Sequence, residues 1–317
     1  MPDHALVSSM PRLPALPGVA VALAGLCLIF GVASPGFLTT GNLANVLTQS
    51  VILLLLALPM TLIIMTEGLD LSIGAVLTLA SVVLALILVS TQSLALALLG
   101  ALGVGLAFGL VNGWLITALS LPPFVATLGT LGAAQGLALV VSDGQSVVGI
   151  PAYVRLIYSG TILGIPTPIL IGAGFYGLFH ILLSHTRFGL YICALGGNRD
   201  ALTLAGIAWK RVLVAVYMLG GVMAAVAALL LTARINAGHP TAAMGMEFDA
   251  IAAVALGGTS FEKGNGWLPG TLLGVLTIGV LRNGLNLMAV PSSVQVVCIG
   301  VLVIAALLID SLRSSRA

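Results

Sequence analysis

The sequence predicts an all-α protein: a polytopic transmembrane helical bundle of about ten spans, some of them short or broken, with both termini in the cytosol. Three observations carry that expectation. Hydrophobic residues fill 60% of the 317 positions and the mean hydropathy is +1.22, well above the roughly 45–50% apolar content of soluble domains. Apolar runs of about 17–24 residues recur along the whole length, enough to cross a hydrocarbon layer of about 30 Å. Only 6% of residues are charged, and they cluster between the apolar runs. No stretch is long and polar enough for a separate soluble domain. The chain therefore divides into a tail (1–18), a membrane domain (19–309) and a second tail (310–317).

Taken in order, residues 1–18 are Pro-rich and polar, with Arg12 the one strong positive charge, and read as a cytosolic tail. Residues 19–32 are the apolar heart of a first span; the weakly basic start and the many spans that follow favour a retained helix over a cleaved signal peptide. After an uncharged turn (34–42), residues 43–66 give a second span, bent at Pro59. Glu67 and Asp70 interrupt the apolar pattern before spans three (71–89) and four (94–117). Gly105, Gly109 and Gly113 fall on one face of span four, where a neighbouring backbone can approach closely. A Gly-rich fifth span (122–141) opens with Pro-Pro-Phe, a loop occupies 142–164, and span six covers 165–183. Span seven is 212–231, followed by a loop at 234–246. Residues 247–258 are short and acidic at their start for an ordinary span; residues 267–281 and 294–309 close the set.

Orientation follows from Lys and Arg in the short loops, which accumulate on the cytosolic side. Ten crossings place Arg12, Arg187, Arg199, Lys210, Arg211, Lys263, Arg313 and Arg316 inside and Arg155, Arg234 and Arg282 outside, 8 against 3 of the 11. If 247–258 fails to cross, the split becomes 6 to 5, and if 122–141 fails, 4 to 7. Ten crossings with an inside start fit best.

The polar stretch 185–211 holds four of those cations, Arg187, Arg199, Lys210 and Arg211. Asn198 suits an N-cap, Asp200 a first turn that favours an anion, and Gly206 a left-handed stop. The helix they bracket rises only about 10 Å, so the loop 184–211 is expected to display a short surface helix.

Constellations for catalysis are missing. Cys27, Cys193 and Cys298 have neither metal-ligand nor disulfide spacing. His4, His180, His185 and His239 form no His-x-x-x-His pair. The run GGTSFEK (257–263) lacks the order of a phosphate loop, and no G-x-S-x-G elbow occurs. The chain is read as no enzyme, with no cofactor or metal of its own; no nucleic-acid partner is expected, although the small net charge of +2 by itself says nothing on that point.

Candidates for a solute path are the polar groups within the spans. Asn45 and Gln49 share one face of span two; Asn112, Gln135, Asn283, Asn286 and Gln295 are the other amides, each able to donate to and accept from sugar hydroxyls. For each, a hydrogen bond between helices is the plainer alternative. Asp70 is the acidic path candidate, and it and Asp249 have an equally plain reading as helix caps paired with basic neighbours.

Long motifs give the class. EGLDLSIG (67–74), GLVNGWLITALSLPPFVATLGT (109–130), TRFGLYICALGGNRDALTLAGI (186–207), TARINAGHPTAAMGMEFDAIAAVALGGTS (232–260) and GNGWLPGTLLGVLTIGVLRNGLNL (264–287) resemble, in order and spacing, the membrane permeases of bacterial ABC importers for ribose and other monosaccharides. Glu67 departs from that pattern, which commonly has Gly there. The resemblance implies an inner-membrane permease for a ribose-like pentose, a hexose or a related polyol. It implies a pair of permease chains around a central path, a separate ATP-binding subunit that carries ATP and Mg, and a periplasmic or extracellular sugar-binding protein. It also implies that the loop between spans six and seven docks into the ATPase, which here is Leu195, Gly196, Gly197, Asn198, Asp200, Ala201, Leu204, Gly206 and Ile207. The alternative class is an ion-coupled secondary transporter of a small polar solute. It would bring inverted repeats and an ion site within the spans, neither of which is evident in the sequence.

Overall fold

In hydrocarbon a backbone N–H or C=O has no partner but the chain itself, so apolar runs of this length close into helices. The structure, a computed structural model, describes residues 18–259 and 264–314. Its elements are α1 (Gly18–Ala33), α2 (Thr40–Met65), α3 (Ile73–Thr91), α4 (Leu94–Ala118), α5 (Pro123–Val141), α6 (Ala152–Ser159), β1 (Thr161–Ile162), β2 (Ile165–Pro166), α7 (Thr167–His185), α8 (Arg187–Gly197), α9 (Arg199–Leu204), α10 (Trp209–Ile235), α11 (Met246–Leu256), α12 (Leu268–Leu287) and α13 (Ser292–Ser314). Seven of these, α2, α3, α4, α5, α7, α10 and α12, are long and apolar enough to cross a membrane. The tails 1–17 and 315–317 lie outside the described residues, as do residues 260–263 of the phosphate-loop-like run and, with them, Arg12, Lys263 and Arg316.

α2 is the hub. Thr39 caps it by accepting from the Asn42 N–H, and every residue from 51 to 65 is buried, Pro59 included. α4 lies against α10 along the glycine face that its sequence marks. A Cβ on Gly105 would sit 2.1 Å from the Gly221 carbonyl oxygen, one on Gly109 2.5 Å from that of Tyr217, and one on Gly113 2.8 Å from the Val214 Cα. Only hydrogen fits between these backbones, so the two helices approach more closely than any larger residue would permit.

The eighth of the expected crossings in chain order is discontinuous. Gly238 exchanges backbone hydrogen bonds with Val147 and packs on Ser81 and Ala85 of α3. By residue 243 the chain has reached Gly74, near the start of α3, and there α11 begins. Beyond α11, Gly257 meets Gly270 and Gly264 meets Gly196, at the opposite end of the bundle from Gly238. Irregular backbone at 236–245 and eleven residues of helix together make the passage. Non-helical backbone is tolerated at this depth because protein or a cavity surrounds it. Ten crossings would take α1, α13 and this broken passage in addition to the seven long helices; α1 and the apolar stretch Ser292–Leu302 of α13 are shorter than those seven.

Three details differ from the sequence reading. The stretch 142–164 is not all loop: it holds the amphipathic α6 and the start of a two-stranded hairpin in which Thr161 faces Pro166. The polar stretch 185–211 folds as two helices, not one, with Leu195, Gly196 and Gly197 ending α8 and Asn198 at the junction. Asp70 does accept from the Ser72 N–H as a cap would, but the regular helix starts two residues later than Leu71, and Asp249 does not cap a helix at Ala250. α3 starts at Ile73 after Ser72, and Asp249 lies inside the first turn of α11. In each case the periodicity of short polar segments is too brief to mark an end.

Candidate functional site

Near the ends of α10 and α12 that lie opposite α8 and α9, a cavity of about 350 Å³ opens among α2, α10, α11, α12 and the start of α13. Its polar wall is made by Gln49 and Ser50 of α2, Arg234 of α10, Asp249 of α11, Arg282 and Asn286 of α12, and Ser292 and Gln295 of α13. Gln295 Nε2 donates to Asn286 Oδ1 at 2.8 Å and to the Val290 carbonyl at 2.9 Å, which fixes the Asn286 amide toward the opening. Arg282 is ion-paired with Asp249, whose side chain is only 11% exposed against 40% for the arginine. The pair thus presents acceptor and donor side by side at a partly desolvated wall. Arg234 makes no ion pair among the described residues. Paired charge, amides and hydroxyls on an otherwise apolar wall suit a small solute rich in hydroxyls.

The predicted path residues divide here. Gln49 and Asn286 line the cavity, and Gln295 with them. Asn45 is exposed one turn from Gln49 and is outside the lining. Asn283 exchanges two hydrogen bonds of 2.8 and 2.9 Å with Asn42, tying α12 to α2. Gln135 donates to the Pro240 carbonyl at 2.7 Å and so holds the irregular segment before α11. Asp70 accepts from the backbone and hydroxyl of Ser72 at 2.9 and 2.6 Å, and Ser72 accepts from Asn112, which in turn accepts from Thr130. That chain of bonds is buried between α3, α4 and α5 and away from the cavity. Sequence reasoning treated Arg234 and Arg282 only as markers of topology. No local signal could have paired Arg282 with Asp249, 33 positions away.

The other end of the bundle carries α8 and α9. Thr186 caps α8 by accepting from Gly189 N–H at 3.3 Å. Gly196 is wedged so tightly that a Cβ would lie 1.9 Å from the Met65 carbonyl oxygen and 2.6 Å from Gly264 Cα. Leu195 is 1% exposed beside it, so these two face the bundle rather than a partner. α9 turns outward. Asn198, Arg199, Asp200, Thr203 and Gly206 are exposed, and Leu204 is 90% exposed, an apolar knob on a polar surface. Gly206 has φ +71°, and the N–H groups of Gly206 and Ile207 donate to the Thr203 and Leu202 carbonyls, closing the helix as its sequence predicts. Gly197 is exposed, Ile207 half-buried, and the Ala201 side chain lies outside the described residues. Arg199 leans back to Glu67 at 3.5 Å and over Trp209 at 5.8 Å, linking α9 to the break between α2 and α3. Arg187, Arg199, Lys210 and Arg211 all lie on this face, whereas Arg155, Arg234 and Arg282 lie at the other. The positive-inside rule makes this end cytosolic.

A bundle with a broken crossing, a polar cavity on one side and a projecting helix on the other defines a multi-pass membrane transporter subunit. A family model described as branched-chain amino acid transport system / permease component matches residues 42–307, and the chain belongs to that family. It is 40% identical over 292 residues to the ribose import permease protein of Bacillus subtilis (strain 168), covering 92% of this chain and 91% of that one. It is 39% identical over 296 residues to the ribose import permease protein of Escherichia coli (strain K12), covering 92% of each chain. It is 38% identical over 299 residues to the D-allose transport system permease protein of the same organism, covering 94% of this chain and 92% of that one. No solved structure matches the chain. The protein is thus a permease component of a transport system and a multi-pass inner-membrane protein.

Proposed function

We propose that the chain is the membrane-spanning subunit of an ATP-driven importer and forms the path of a monosaccharide, a pentose, hexose or related polyol. The observation that carries the reading is the placement of a hydroxyl-matched cavity and a projecting, capped helix at opposite ends of one bundle. The names of the relatives, for ribose and allose, set the substrate class. A separate ATP-binding subunit supplies ATP and Mg and docks on α9 through Asn198, Asp200, Leu204 and the turn at Gly206. A sugar-binding protein delivers solute at the outer face, and a second permease copy completes the path. Leu195 and Gly196 act in this scheme as the seat of α8, carrying force from α9 into the end of α2. Nucleotide-driven movement of α9 biases the bundle between outward and inward access, a two-state equilibrium shifted by its ligands.

The test is sugar uptake into proteoliposomes. The chain alone, with or without an ion gradient, is expected to give none. Uptake is expected once the ATPase, the loaded binding protein and internal ATP are present. Gly206→Val strains the left-handed turn by roughly 1–2 kcal/mol, and should cut stimulation of the ATPase by loaded binding protein about tenfold while leaving membrane insertion intact. Uptake by the isolated chain down an ion gradient would overturn the reading in favour of a secondary transporter.

A further inference from the structure

The cytosolic end carries a recess distinct from the exposed surface of α9. It is a pocket of about 350 Å³ between the end of α2, the α4–α5 turn and the start of α10, with Thr66, Ser120, Arg199, Trp209 and Lys210 in its wall. Thr117 and Lys210 also line a second hollow, an open groove of about 320 Å³. That groove follows α10 from Lys210 and Arg211 past Val214 to Met218, one helical turn at a time. A polar pocket at the membrane surface therefore continues into an apolar groove that runs toward the bilayer centre.

The charge at the mouth is unbalanced. Arg199 has Glu67 at 3.5 Å, but neither Lys210 nor Arg211 makes an ion pair among the described residues. The surroundings face hydrocarbon: Trp114 of α4 and Phe124 and Val125 of α5 are each more than half exposed. Trp114 and Trp209 stand at the level where tryptophan settles between acyl chains and headgroups. A surplus of cations at this level attracts anionic lipid, and basic pockets between helix ends on the cytosolic side suit lipid phosphates.

We propose that this composite recess binds one anionic phospholipid of the cytosolic leaflet. Its phosphate sits against Lys210 and Arg211, with the exposed Ser120 hydroxyl as a further donor, and one acyl chain lies along Val214 and Met218. A free phosphate ion would use the same cations but would gain nothing from the groove. The headgroup lies beside Arg199, so occupancy bears on the position of α9, although binding itself does not depend on the transport reading.

The experiment is native mass spectrometry of the purified, delipidated full-length chain after adding back phosphatidylglycerol or phosphatidylethanolamine. The wild-type chain should retain phosphatidylglycerol about tenfold better. The double variant K210Q/R211Q should abolish that preference, and Ala215→Trp, which fills the groove from a position clear of the Gly113 contact, should lower phosphatidylglycerol retention at unchanged helix content. Arg155→Gln, at the outer face, should leave it unchanged. Equal retention of the two lipids by the wild-type chain would overturn the proposal, as would a preference that survives K210Q/R211Q. Displacement of the lipid by millimolar inorganic phosphate, with no effect of Ala215→Trp, would reduce the site to a simple anion site and overturn the lipid assignment.

Discussion

Among the described residues each end of the bundle holds one ion pair, and the two are built differently. In the outer cavity Arg282 meets Asp249, a carboxylate 11% exposed. At the cytosolic end Arg199 meets Glu67 across 3.5 Å, with both side chains 43% exposed. Water screens both partners of the second pair but reaches the first mainly through its arginine, so the same chemistry carries different weight. The outer end is organised by side chains: a shielded carboxylate and the amides that line the cavity. The inner end is organised by backbone: the wedge at Gly196 and the left-handed turn at Gly206. A loss of charge should therefore damage the cavity, and a change of backbone should damage the docking face.

The largest effect is expected at the inner wedge. Gly196→Val would drive a side chain into backbone on both sides, at the Met65 carbonyl and Gly264 Cα. Overpacking of this kind costs about 3 kcal/mol, seen as a lower unfolding midpoint and poor recovery of folded chain from membranes. The next concerns the cavity. Asp249→Asn leaves Arg282 without its counter-charge at a partly buried wall, a loss of about 2 kcal/mol after allowance for the exposed guanidinium. Sugar uptake should fall roughly thirtyfold, and adding Arg282→Gln should recover part of it. The smallest is the exposed pair: Glu67→Gln or Arg199→Gln should change ATPase stimulation by less than about fivefold, the scale of a surface ion pair. Moderate salt should erase even that difference. Glu67 also sits at φ +59°, where glycine is unstrained, so Glu67→Gly should lose the pair yet keep or raise thermal stability. Equal damage from Asp249→Asn and Glu67→Gln would remove the contrast between the two ends.

How much of this the sequence carries depends on whether the signal is local. The apolar runs, the glycine face of α4 and the stop at Gly206 are local, and each stands in the structure where its pattern places it. The positive-inside count called for 247–258 to cross, and the structure gives that stretch only the eleven-residue helix Met246–Leu256, because the count reads flanking charges rather than regular helix. The cavity is not local. Its wall draws on five helices, and what separates Gln49 and Asn286 from Asn112, Gln135 and Asn283 is the neighbour each amide meets. Asn283 is satisfied by Asn42, and Gln135 by the carbonyl of Pro240. Nothing in the spacing of a lone amide tells a wall from a clasp. α8 was missed for a related reason: it is half-buried under the bundle end, where neither a transmembrane nor a surface periodicity is clean.

The central claim is that α9 is the handle by which an ATPase moves the path, and a pair of cysteine substitutions tests it most directly. In a background without Cys27, Cys193 and Cys298, Leu204→Cys places a thiol on the 90% exposed knob, and Leu195→Cys places one at a position 1% exposed. In the assembled importer, a short bifunctional thiol reagent should join the Leu204→Cys chain to the ATP-binding subunit and leave the Leu195→Cys chain unjoined. Nucleotide should change the yield of the first. Equal yields at both positions, or none at Leu204 in a complex that still hydrolyses ATP on demand, would contradict the account.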